Sequence, residues 1–91
     1  MKHGVYVIYD KIAEESGPMF EAVNDGIALR QACHVLKPLP PTLVDDYQLV
    51  KIGEYDTKDM QIYVLPPQQI DFTISLSRAR EWDGIEVKIN E

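Results

Sequence analysis

Two groups of residues in this 91-residue chain have the types and spacing to touch a phosphate. Arg30, His34 and Lys37 recur at i, i+4 and i+7, which stacks side chains along one side of a helix. In the run Arg78-Ala79-Arg80-Glu81-Trp82, an extended backbone puts Arg78, Arg80 and Trp82 on one side, joining charge to a stacking surface for unpaired bases. These six residues are the candidate nucleic-acid-binding set. Each group also has a plainer account. Cations near a helix C-terminus are favoured by the helix dipole alone. A lone tryptophan can equally close a core or a subunit contact, with the arginines paired to Glu81 and Asp83. Five tyrosines, Tyr6, Tyr9, Tyr47, Tyr55 and Tyr63, fall on predicted strands and could form a base-stacking platform, but only Lys51 interleaves with them.

Nothing else in the inventory has the spacing that catalysis requires. His3 and His34 lie on separate elements, and adjacent Cys33 and His34 diverge by about 100° on a helix, so they cannot grip one metal or act as nucleophile and base. The five glycines are scattered, with no phosphate-cradling arrangement. The acidic pairs Glu14-Glu15 and Asp45-Asp46 flank turns and read as solvated loop residues. No catalytic residue, metal site or cofactor is expected, and the chain reads as a non-enzyme.

The elements that must position these residues follow from hydropathy. Gly4 to Asp10 is apolar on both parities and rich in β-branched residues, the pattern of a central strand covered on both faces. Ser16-Gly17-Pro18 marks a turn before a short extended stretch at Met19 and Phe20. Asn24 is a good N-cap for a helix over Asp25 to Lys37, with Asp25 at the positive end of its dipole. Ala28, Leu29, Ala32, Cys33, Val35 and Leu36 form the apolar side of that helix, opposite Gly26, Arg30, His34 and Lys37, and Pro38, Pro40 and Pro41 end it. Tyr47 to Tyr55 and Gln61 to Leu65 make an antiparallel hairpin, which Pro66 and Pro67 interrupt. Ile70, Phe72, Ile74 and Leu76 then alternate with polar residues. Asp83-Gly84 is a turn before a last strand at Ile85, Val87 and Ile89. In the continuing register Arg78, Arg80 and Trp82 would follow Leu76 toward the core, so a bulge, a helical turn or a subunit interface must intervene.

The fold class is therefore α+β: a mainly antiparallel sheet of four to five strands with one helix packed on one face, in the order β-α-β-β-β-β. The first β-α-β passage allows its two strands to be parallel neighbours through a right-handed crossover. One domain spans residues 1–91. A domain this small buries only about 60–65% of its unfolded surface, so homo-oligomerisation is expected to supplement the core. Nine Lys plus Arg against fifteen Asp plus Glu give a net charge of -6, which excludes coating a nucleic acid by bulk charge. Residues 41–60 carry two basic against five acidic residues, leaving room for a polarised surface. One cysteine fits a reducing compartment, and neither a signal peptide nor a membrane helix is legible, so a soluble intracellular protein is expected.

Specific strings add to this. Val5-Tyr6-Val7-Ile8-Tyr9-Asp10-Lys11-Ile12-Ala13-Glu14-Glu15, Gly17-Pro18-Met19-Phe20 and Asn24-Asp25-Gly26-Ile27-Ala28-Leu29-Arg30, in that order, resemble the small nonstructural protein of gokushovirus-type microviruses, the single-stranded DNA phages. Asp45-Asp46-Tyr47-Gln48-Leu49 and Ile52-Gly53-Glu54-Tyr55-Asp56 look like that family's second half. The resemblance covers about residues 4–65 and leaves 66–91 as a candidate lineage-specific extension. It implies a non-enzymatic accessory protein of the host cytoplasm, absent from the virion, acting in viral DNA synthesis or packaging. Two functional readings stay open. One is local contact with single-stranded DNA or with viral replication or packaging proteins. The other is a homo-oligomeric interaction module that binds a viral or host protein without touching DNA.

Overall fold

A computed structural model describes residues 1–71. Its first element, β1 (Lys2–Asp10), is the central strand expected from its two-sided apolar pattern. A turn held by the Asp10 carboxylate, whose Oδ1 accepts from the Ile12 and Ala13 amides, leads to β2 (Glu15–Ser16). Then β3 (Phe20–Ala22) also returns along β1, so that β2 and β3 share one edge of that strand. Helix α1 (Asp25–Leu36) follows, then one short turn of helix, α2 (Pro41–Val44). Strands β4 (Tyr47–Asp56) and β5 (Ile62–Ile70) close the described chain. The sheet has five strands in the order β2-β1-β4-β5, with β3 beside β1, and every pairing is antiparallel. This is the α+β architecture expected, a mainly antiparallel sheet with one helix packed on it.

The parallel crossover does not occur: β1 and β4 run antiparallel, from Lys2 opposite Asp56 to Asp10 opposite Tyr47. The reason is β3. The chain reverses at the turn after Asp10, and whereas the sequence reads Met19 and Phe20 as merely extended, Phe20–Ala22 is a strand that carries the reversed direction back along β1 to the start of α1. One added reversal changes the direction in which the chain re-enters the sheet.

Local chemistry sets the start of α1 where the sequence places it. The Asn24 side chain accepts from the Ile27 amide at 2.9 Å, satisfying one of the free N–H groups of the first turn. Ala28, Ala32, Cys33 and Leu36 are buried, and their mostly small side chains let the helix approach the sheet closely. They form the core with Tyr6, Ala22, Val44 and Leu49, against which Ile8, Phe20, Tyr47 and Ile70 pack. Val7 projects to the opposite face beside its cross-strand partner Val50 and is buried too. Burial on both faces of β1 thus matches its pattern, while the helix covers one.

The hairpin departs from expectation at its prolines. Pro66 and Pro67 lie within β5, which continues to Ile70 opposite Leu49. Pairing jumps from Gly53 opposite Val64 to Lys51 opposite Gln68, so Leu65, Pro66 and Pro67 bulge across from Ile52 alone. Ile52 is also the extra residue where the β1–β4 register shifts between Val5 and Tyr6. Prolines donate no ladder hydrogen bond, and a bulge on an outer strand is where a sheet accepts them. Gly53 sits beside this irregularity because β5 passes too close for a side chain: a Cβ there would lie 2.6 Å from the Tyr63 carbonyl oxygen. The alternating run that begins at Ile70 therefore starts inside β5. Its continuation through Leu76 and the strand at Ile85 to Ile89 lie outside the described residues.

Candidate functional site: an apolar groove beside the helix

The C-terminal half of α1 buries Ala32, Cys33 and Leu36 against the sheet and leaves Val35 exposed beside them. Between it, the ends of β1 and β4, and the segment from Glu15 to Phe20 runs a groove of about 750 Å³. Its floor is Ile8 and Tyr47, one wall is Val35, Leu36 and Leu39, and the other is the Gly17-Pro18-Met19-Phe20 segment. That second wall is held in place at two points. The Gly17 amide donates to the Ile8 carbonyl at 2.9 Å, and Phe20 stacks on Tyr6 with ring centroids 5.7 Å apart. Met19 and Val35 both line the groove with 69% and 62% of their surfaces exposed, far more than apolar side chains of a finished core.

The electrostatics of the groove are one-sided. Asp10 and Glu15 line it, and no Lys, Arg or His does. Val35, Leu36 and Leu39 stand at the C-terminal end of α1, where the helix dipole is negative. Such a site can take an apolar side chain and favours positive charge around it.

The structure gives the expected nucleic-acid residues a more dispersed setting. Arg30 and His34 are exposed on α1, with Gln31 and Val35 of the groove wall next to them along the helix. Lys37 is the C-cap, half-buried, its amide donating to the Cys33 carbonyl. Arg78, Arg80 and Trp82 lie outside the described residues. The tyrosines make no single platform. Tyr6 and Tyr47 pack in the helix-side core, and Tyr63 lies under the Lys2 ammonium at 4.8 Å. Tyr55 pairs with His3 and Ile62, one step along the ladder from the Glu54–Tyr63 pair, so Tyr55 and Tyr63 point to opposite faces. Among the described residues no cluster of three or more His, Cys, Asp or Glu side chains could hold a metal ion. No helix among them is long and apolar enough to cross a membrane.

One residue of the groove was visible in the sequence with the wrong role. Val35 belongs to the helix's apolar arc and reads as core, yet it is exposed. The arc is wider than the strip that contacts the sheet, and the surplus becomes the groove wall. The opposite wall carried only a turn signal, Ser16-Gly17-Pro18, and a short extended stretch at Met19 and Phe20.

Residues 3–76 match the family described as Phage ORF5 protein. The chain belongs to that family. The match runs past residue 65, where the resemblance ends, through the rest of β5 and on to residue 76. This phage family is consistent with the resemblance to a phage nonstructural protein, at the level of phage proteins in general. No curated protein and no solved structure gives a significant match.

Proposed function

We propose that this protein is a non-enzymatic phage accessory protein of the host cytoplasm that acts by binding another protein. Its partner belongs to the machinery of viral single-stranded DNA synthesis or genome packaging. The observation that carries this reading is the groove, open, apolar and bounded by Asp10 and Glu15, on an acidic body. A partner segment with an apolar anchor and cationic flanks satisfies both properties. Membership in a phage protein family supplies the biological setting.

A photo-crosslinking residue placed at Val35 in phage-infected cells tests the proposal. Crosslinks to a viral replication or packaging protein are expected, and they should vanish when Met19→Glu fills the groove mouth with a charge. Absence of any crosslink to a viral protein overturns the reading.

The exposed pair Arg30 and His34 on α1 favours a second reading, local contact with single-stranded DNA. A salt titration with labelled single strands separates the two, because phosphate contacts strengthen as salt falls. Binding at low salt that Arg30→Glu abolishes, and Met19→Glu leaves intact, selects DNA over the groove.

A further inference from the structure

The geometry points to an occupant for the groove in the free protein: the chain's own segment Arg78-Ala79-Arg80-Glu81-Trp82. This inference rests on the groove being the partner site and names what the partner must displace. The groove takes an apolar group and favours cations, with two carboxylates and no basic side chain in its lining. Residues 78–82 offer the chain's only tryptophan together with two of its arginines. No other five-residue stretch of the sequence combines an aromatic ring with two guanidinium groups. A groove of about 750 Å³ accommodates an indole and the stems of both arginines, within the usual range of about 300–1,000 Å³ for ligand sites.

Chain length permits it. Ile70, at the end of β5, pairs with Leu49, and Leu49 pairs with Ile8 on the groove floor. Two strand spacings of about 4.8 Å separate Ile70 from Ile8. Both pack against the same core cluster, so the chain leaves β5 next to the groove. The twelve residues from Asp71 to Trp82 can span about 40 Å when extended, several times that separation. Docking within one chain is therefore within reach, and a tether of this length gives a high effective concentration.

Because Trp82 is the only tryptophan, its fluorescence reports the contact in the intact protein. The expected result is blue-shifted emission and a several-fold lower acrylamide quenching constant than a solvated indole gives. Met19→Glu and Val35→Glu each change an exposed groove residue and should shift emission to the solvated position and restore quenching. Leu43→Glu, exposed but outside the groove, should leave both unchanged. Solvated emission in the native protein overturns the inference. So does a protected indole that ignores both groove substitutions, because Trp82 would then be buried elsewhere. Protection that grows with protein concentration overturns docking within one chain and assigns the groove to the segment of a second copy. The partner reading is judged separately by crosslinking from position 35, which Trp82→Ala should increase several-fold. Intact docking without any viral crosslink sinks that reading alone.

Discussion

The Tyr6 hydroxyl donates a 2.6 Å hydrogen bond to Asp25 Oδ1, tying the middle of β1 to the first residue of α1. Lys51 Nζ stands 3.8 Å from the same carboxylate oxygen, so β4 joins the same junction. Tyr6 itself is fully buried, stacked on Phe20 and lying over Gly4, where a Cβ would collide with its ring. One carboxylate thereby completes the helix N-terminus, satisfies a buried phenol and meets a lysine.

Burial, reinforced by Asp25, raises the Tyr6 hydroxyl well above the usual phenol range. Its folded-state value exceeds the unfolded value of about 10, so its contribution is fully present below about pH 10 and is lost as pH rises beyond that. Tyr6→Phe should cost about 1.5–3 kcal/mol in urea unfolding at neutral pH, the usual worth of a hydrogen bond to a charged group. The variant should also lose stability less steeply than the parent above pH 10. Parallel curves through the alkaline range would refute the assignment.

Asn24→Ala removes the side-chain oxygen that accepts from Ile27 and should cost about 1 kcal/mol, whereas Asn24→Gly should cost only a few tenths. In a domain of this size, the first corresponds to a Tm lower by roughly 4–8 °C. Equal effects of the two substitutions would mean that backbone conformation, and not the cap, is what Asn24 supplies.

Neighbouring residues of α1 should respond in opposite ways to truncation. Leu36 is 1% exposed, and Leu36→Ala should cost about 2–5 kcal/mol through lost contact and a residual cavity. Val35→Ala should change stability by less than about 0.5 kcal/mol, because that side chain already stands in solvent at the groove wall. Thermal unfolding of the two variants decides whether Val35 is groove or core.

Gly53→Ala should destabilise by about 1–3 kcal/mol, since the new methyl must push the Tyr63 carbonyl aside. The damage should be local to the hairpin. Amide exchange is expected to accelerate in β5 and the paired half of β4, with the β1 amides near Tyr6 and Val7 less affected. Uniform acceleration across the sheet would show that the hairpin is not a separable unit.

Much of this arrangement was legible in the sequence because it depends on local chemistry. The Asn24 cap, the apolar arc through Ala28, Ala32 and Leu36, and the central placement of β1 all follow from residue type and period. What escaped depends on contacts distant in sequence. Phe20–Ala22 is too short to show alternation, and becomes a strand only because β1 offers it an edge. Pro66 and Pro67 read as a break because a single strand carries no sign that its partner will tolerate a bulge opposite Ile52. The groove is the clearest case. Neither Val35 nor Met19 is unusual alone, and the site exists because the end of α1 and the segment that Gly17 pins to Ile8, distant in sequence, line one groove.

The bulge in β5 has a consequence for how the protein behaves at high concentration. β5 is the outermost strand among the described residues, and Ile62 and Val64 stand 70% and 88% exposed along it. An edge strand with such side chains is a surface on which another strand can pair. A chain adding to it would meet two residues without an amide hydrogen, set in backbone displaced from the ladder, and pairing would stall between Val64 and Gln68. Pro66 and Pro67 thus limit how far any strand can pair continuously along β5.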